Sequence, residues 1–207
     1  LGVDQRPRQV VGRLADIHGR KRVFAIGIVV YTSSSLLAAV APSGLFLVLA
    51  RVVEGAGASM IFGTGTAILT SVFPPRERGR ALGINIAAVY LGLSLGPTLG
   101  GLLTQQFGWR SIFLLNVPLG TLIFILVTTM LDGEWAEARG EAFDLVGSFL
   151  YGAALVALLI GVTFLPGPLG LGLIASGFLG VVVFALWELR TGSPVLDIRL
   201  FRRNRIF

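Results

Sequence analysis

From Leu145 to Trp187 the chain carries no charged residue over forty-three consecutive positions. An α-helix rises 1.5 Å per residue and needs about 20 residues to cross the roughly 30 Å hydrocarbon core of a bilayer. The run is therefore too long for one span, and Pro166-Gly167-Pro168 divides it into two, Leu145–Phe164 and Leu169–Trp187. Four further apolar runs precede it: Val23–Ala41, Gly44–Phe73, Ala81–Thr104 and Ser111–Leu131. Apolar residues make up 54% of the chain and charged residues 14%, a proportion that a water-soluble core cannot absorb without exposing large apolar patches. The predicted fold class is all-α, a polytopic membrane helix bundle with six spans in this chain.

Charge is confined to the connectors, and there it sets topology. Six basic residues precede Val23, three follow Phe73 (Arg76, Arg78, Arg80), Arg139 lies in the next connector and five lie after Glu188. With six spans these segments fall on one side, while the opposite side carries only Arg110. The positive-inside bias places both ends in the cytoplasm. Residues 1–22 then form a cytoplasmic segment, 23–131 four spans, 132–144 an acidic cytoplasmic connector, 145–187 a further pair of spans, and 188–207 a basic cytoplasmic tail. The net charge of +6 is explained by this sidedness, and no polar domain with a clustered basic face points to nucleic acid. The partners expected from composition are the lipid bilayer and other membrane helices. The start without methionine and the abrupt basic end suggest a piece of a longer chain.

The chemistry-bearing groups are few. The chain has no cysteine, and the lone histidine, His18, sits in a basic loop with no second ligand, so neither a metal nor a cofactor is expected. Gly55-Ala56-Gly57 and Gly63-Thr64-Gly65 follow no strand and end in no Lys-Ser/Thr, which excludes a phosphate loop. No Ser/His/Asp set can be assembled, so the chain is not read as an enzyme.

Within the second run, Arg51 and Glu54 stand one helical turn apart. An ionisable group at the bilayer centre costs about 2.5–3.5 kcal/mol on insertion scales, so such groups tend to be functional. Arg51, Gly55, Ser59, Gly63 and Ala67 recur every four residues, and this stripe of small residues predicts that Arg51 faces the bundle. The competing reading is that Arg51 snorkels to the interface, seven residues from the start of its span. Gly92, Gly96 and Gly100, with Pro97 and Gly101 beside them, predict a bendable, closely packed third span. Asn85 and Asn116 are polar groups suited to interhelical hydrogen bonds.

Several of these stretches resemble the major facilitator superfamily. Gly12 to Arg22 is similar to its loop signature between the second and third helices, and Leu49 to Ser59 to its fourth-helix motif. Gly92 to Gly101 resembles the fifth-helix motif of its antiporters. Trp109 to Pro118 resembles the start of the sixth helix in the drug:proton antiporters with fourteen spans, and Pro194 to Phe201 the segment before their ninth. The resemblance implies that the chain covers about helices 3 to 8, that residues 23–131 belong to the N-terminal transporter bundle, and that the other helices are missing from it. It further implies a proton-coupled antiporter exporting small amphipathic or cationic substrates across the cytoplasmic membrane. Gly12, Asp16, Gly19, Arg20 and Lys21 would form a conformational latch, and Arg51 with Glu54 would serve proton coupling. Two features depart from the family pattern: residues 1–9 are polar where a second helix is implied, and Glu54 stands where glutamine is more usual. A non-transporting fragment and a facilitator for nutrients or metabolites are the alternative readings.

Overall fold

The computed structural model describes residue 15, residues 17–131, residue 133 and residues 144–190. Among these, six helices are long and apolar enough to cross a membrane: α1 Arg20–Ala39, α2 Gly44–Val72, α3 Arg78–Phe107, α4 Arg110–Met130, α5 Leu145–Thr163 and α6 Pro168–Glu188. The described residues contain no strand. The acidic connector and the basic tail lie almost wholly outside the described residues. Helices α1 to α4 form one compact unit, and α5 with α6 another.

Local chemistry sets the helix ends. Gly19, at φ 102°, occupies a left-handed conformation that suits glycine and precedes α1. Ser43 caps α2 by accepting from the Phe46 amide at 3.3 Å. Pro74 forces Phe73 into extended backbone, and α2 stops there. Gly108, at φ 80°, makes the turn between α3 and α4, and Pro168 opens α6 at a position where its missing N–H costs nothing. Several helices overrun the apolar runs predicted for them. The third begins at Arg78 rather than Ala81 and ends at Phe107 rather than Thr104, because the backbone ladder continues through charged residues once nucleated.

Within the first unit, α1 is the central element and packs along both α2 and α4, whereas α3 touches α2 and α4 only lightly and buries none of its residues. The α1–α2 contact is backbone against backbone. A Cβ placed on Gly57 would lie 2.6 Å from the Tyr31 nitrogen and 2.9 Å from the Gly27 carbonyl oxygen. Such approach is the usual source of tight membrane-helix packing, since lipid removes the hydrophobic drive between helices. The α1–α4 contact is comparable: a Cβ on Gly120 would collide with the Thr32 side chain.

The buried positions of α2 are Ala50, Glu54, Gly57, Thr64 and Ile68. The contact face therefore lies beside the predicted stripe. Gly55 and Ser59 are exposed, Gly63 is half-buried, and nothing lies within 4 Å of a Cβ on Gly55. In the third helix, Gly92, Gly96 and Gly101 likewise have no neighbour within 4 Å of a Cβ, Gly100 meets only Ile112 at 3.8 Å, and α3 runs on as helix through Pro97. Small size permits close packing but does not summon a partner. The tight contacts occur where a glycine on one helix meets the backbone or a short side chain of another.

In the second unit, α5 and α6 pack by the same means. A Cβ on Gly161 would meet the Gly170 carbonyl oxygen at 3.0 Å, and a Cβ on Gly177 would meet that of Ala154 at 3.0 Å. Asp144 closes the hairpin at its other end. It caps α5 by accepting from the Gly147 amide at 2.8 Å, and accepts from the Trp187 indole Nε1 of α6 at 3.0 Å. One carboxylate thus satisfies an orphan donor of α5 and the indole N–H of α6.

Two predictions follow from this packing. Gly57→Ala is expected to destabilise the folded protein by about 1–3 kcal/mol, the usual cost of overpacking, whereas Gly55→Ala in the same helix is expected to change stability little. Denaturation in mixed micelles compares the two directly, and equal losses would contradict the assigned face. Asp144→Ala is expected to cost about 1–2 kcal/mol through the lost cap and to change the fluorescence of Trp187; an unaltered Trp187 signal would mean that the indole does not bond Asp144.

Candidate functional site

A buried carboxylate organises the membrane-embedded polar groups of the first unit. Glu54 lies ten residues into α2, about 15 Å along the helix axis. Its side chain is only 1% exposed, among the most enclosed in the chain. Position decides this, because Glu54 shares the α1-facing stripe with Ala50 and Gly57. Three residues earlier, Arg51 sits at the edge of that stripe with its side chain 56% exposed, and its Nη1 reaches back to Glu54 Oε2 at 2.9 Å. The spacing predicted the pair. Within the described residues the carboxylate is the enclosed member of the pair and the guanidinium the exposed one.

The remaining valences of Glu54 are met from α1 and α4. Ser35, fully buried on α1, donates from Oγ to Glu54 Oε1 at 3.3 Å. The Tyr31 hydroxyl, one turn earlier on α1, also interacts with the Glu54 carboxylate. From α4, Asn116 Nδ2 donates to Ser35 Oγ at 2.9 Å and to the Tyr31 hydroxyl at 3.4 Å. The Phe113 ring, one turn before Asn116, lies 5.7 Å from the Arg51 guanidinium carbon, within cation–π range. Three helices thus converge on one carboxylate, and each polar atom in the chain of bonds has a partner. A buried charge is tolerable on just these terms, paired and hydrogen-bonded.

The two ends of the unit carry a second set of polar contacts. At the end where α1 begins, Arg20 Nη1 donates to Ser71 Oγ in the last turn of α2 at 2.8 Å. Lys21 Nζ donates to the Leu131 carbonyl just past α4. At the other end, Arg110 Nη2 donates to the Ala41 carbonyl after α1 at 3.1 Å. Cations placed at helix C-termini satisfy orphan carbonyls and complement the helix dipole. Of the five residues assigned to the latch, Arg20 and Lys21 reach the α2 and α4 ends, Gly19 precedes α1, and Gly12 and Asp16 lie outside the described residues.

A cavity of about 440 Å³ opens between the helices toward this Arg20–Lys21 end. Phe24, Phe62, Leu126 and Met130 supply apolar walls, and Asn85 and Thr66 supply polar groups. The Arg51–Glu54 network and this cavity are separate, the former near the start of α2 and the latter beside its second half. No group of three or more metal-ligating side chains occurs among the described residues.

Sequence reasoning found Arg51 and Glu54 but not Ser35 or Tyr31, and it left Asn116 as one of two generic polar positions. A serine inside a membrane helix usually bonds its own backbone, as Ser34 does to the Val30 carbonyl at 2.6 Å. Nothing local therefore distinguishes Ser35. Its distinction arises from which neighbour it meets.

Comparison with known proteins agrees with the helical architecture. The chain matches the family model of the Major Facilitator Superfamily over residues 9–199. It is 37% identical over 197 residues to the multidrug resistance protein Stp of Mycobacterium tuberculosis, covering 91% of this chain and 36% of that protein. It is 38% identical over 202 residues to the cephamycin export protein CmcT of Amycolatopsis lactamdurans, covering 92% and 41%. It is 30% identical over 196 residues to the riboflavin transporter RibZ of Clostridioides difficile, covering 95% and 42%. The chain thus spans about two fifths or less of these curated relatives. With six membrane-length helices and a match across nearly its whole length, this chain belongs to the Major Facilitator Superfamily.

Proposed function

We propose that the chain is part of a proton-driven exporter of small molecules in the cytoplasmic membrane, with both of its ends on the cytoplasmic side. The observation that carries this reading is Glu54, a carboxylate 1% exposed inside a membrane helix and paired with Arg51 at 2.9 Å. While Glu54 is ionised the pair is neutral as a whole. A proton taken up by the carboxylate cancels its charge and leaves the Arg51 guanidinium without its counter-ion. An uncompensated charge at that depth is unfavourable, so the helices gain by rearranging. A proton moving inward contributes about 2.3 kcal/mol per 100 mV, besides any pH gradient. That energy would drive the alternation between inward- and outward-facing states typical of such transporters.

The other motifs fit parts of the same cycle. Gly12, Asp16, Gly19, Arg20 and Lys21 would latch the cytoplasmic end in one state, with Arg20 and Lys21 already anchored on the ends of α2 and α4. The Gly92–Gly101 stretch of α3 would supply a surface for close packing against helices outside this chain. Substrates would be small and amphipathic. The cavity walls are mainly apolar among the described residues. CmcT, named an export protein, and Stp, named for multidrug resistance, support this reading. RibZ, a riboflavin transporter, favours a second reading, transport of a nutrient or metabolite.

The test uses the complete protein that carries this chain, reconstituted in vesicles with an interior pH dye. Addition of a transported substrate should release protons in the wild type. Arg51→Ala should abolish that release, by more than tenfold, while membrane insertion stays at the wild-type level. Undiminished release in Arg51→Ala would reduce the arginine to a packing or snorkelling role, and uptake of proton and substrate in the same direction would overturn antiport.

A further inference from the structure

The bonds around Glu54 have a direction, and that direction depends on where the protons are. A hydroxyl holds one proton to donate and lone pairs with which to accept. Ser35 spends its proton on Glu54 Oε1 and accepts from Asn116 Nδ2. The Tyr31 hydroxyl also accepts from Asn116 Nδ2. The Ser35 hydroxyl therefore points toward α2, and the Asn116 amide of α4 presents its N–H₂ side to both hydroxyls of α1. This polarity follows from the carboxylate being an acceptor only.

We infer that Ser35, Tyr31 and Asn116 form a relay that reports the protonation of Glu54 from α2 through α1 to α4. This inference rests on the reading of Glu54 as a proton carrier. When hydronium delivers a proton to Glu54 and leaves as water, the carboxyl becomes a donor and gives its O–H to Ser35 Oγ. Ser35 then turns its own O–H toward Asn116, and no covalent bond in the serine or asparagine is made or broken. The N–H₂ group of Asn116 cannot accept, so the amide turns over to present Oδ1. The message delivered to α4 is a rotated side chain one turn beyond Phe113, the ring that lies against the Arg51 guanidinium. Arg51 and Tyr31 are the charged and titratable groups facing Glu54 among the described residues, and α4 contributes the neutral Asn116.

Ser35, Tyr31 and Asn116 are thus positioning residues. They act through Glu54 and need touch no substrate. The relay also accounts for the burial of Ser35, at 0% exposure, on the side of α1 that stands between the other two helices. An ordinary interhelical hydrogen bond would need only two of the four side chains. The observed set joins donor to acceptor across all three helices, with the titratable group at one terminus and the amide at the other.

Infrared difference spectroscopy of the complete protein in lipid bilayers tests this, with acidification as the trigger and isotopically labelled asparagine. The wild type should show a protonated-carboxyl band that Glu54→Gln removes, and a side-chain amide change that Asn116→Leu removes. In the double variant Ser35→Ala, Tyr31→Phe, the Glu54 band should persist while the Asn116 amide change is lost. Persistence of the amide change in that variant would overturn the relay alone, as would its absence from the wild type. Absence of the Glu54 band from the wild type would overturn the proton-carrier reading and the relay with it. Retention of the Glu54 band in the double variant also shows that loss of the amide change is not loss of the fold.

Discussion

A carboxylate cannot stay ionised inside a bilayer without partners, and Glu54 has recruited them from every helix within reach. Arg51 supplies the opposite charge from its own helix, Ser35 and Tyr31 supply hydroxyls from α1, and Asn116 supports both hydroxyls from α4. The arrangement ties α1, α2 and α4 at one level of the membrane. In a medium that competes poorly for hydrogen bonds, each such tie excludes alternative rotations of the helices. The apolar surface cannot do this alone, because one leucine facing lipid is energetically much like another.

Close backbone contact provides the second constraint, and it works with the first. Gly27 and Gly57 let α1 and α2 approach until backbone touches backbone, and Gly120 lets α4 close on the Thr32 side chain of α1. That proximity brings Ser35 within reach of Glu54 and Asn116 within reach of Ser35. Replacing a glycine at these contacts would separate the helices and lengthen the polar bonds together. The hairpin of α5 and α6 is built on the same two elements, glycine contacts along its length and a buried carboxylate, Asp144, at one end.

Basic residues gather at the helix ends. In the folded unit Arg20, Lys21, Arg78 and Arg110 each donate to a neighbouring helix end or loop. Helix C-termini present carbonyls with no partner inside the helix, and a membrane-interface cation is a natural donor for them.

The six helices were legible because hydropathy accumulates along the chain and needs no tertiary partner. The uncharged run from Leu145 to Trp187 and the prolines within it define two spans wherever they are placed. The pairing of Arg51 with Glu54 was legible for the same reason, since one helical turn brings them together. The inward face of α2 was not. Small residues populate several faces of that helix, and the stripe through Gly55 and Ser59 resembles a packing face as much as the one through Gly57 does. Only the approach of the α1 backbone selects Gly57, turns Glu54 inward and leaves Arg51 exposed. Ser35, Tyr31 and Asn116 became a site for the same reason: their positions in the sequence are distant, and three-dimensional packing alone places their hydrogen-bonding groups around one buried charge.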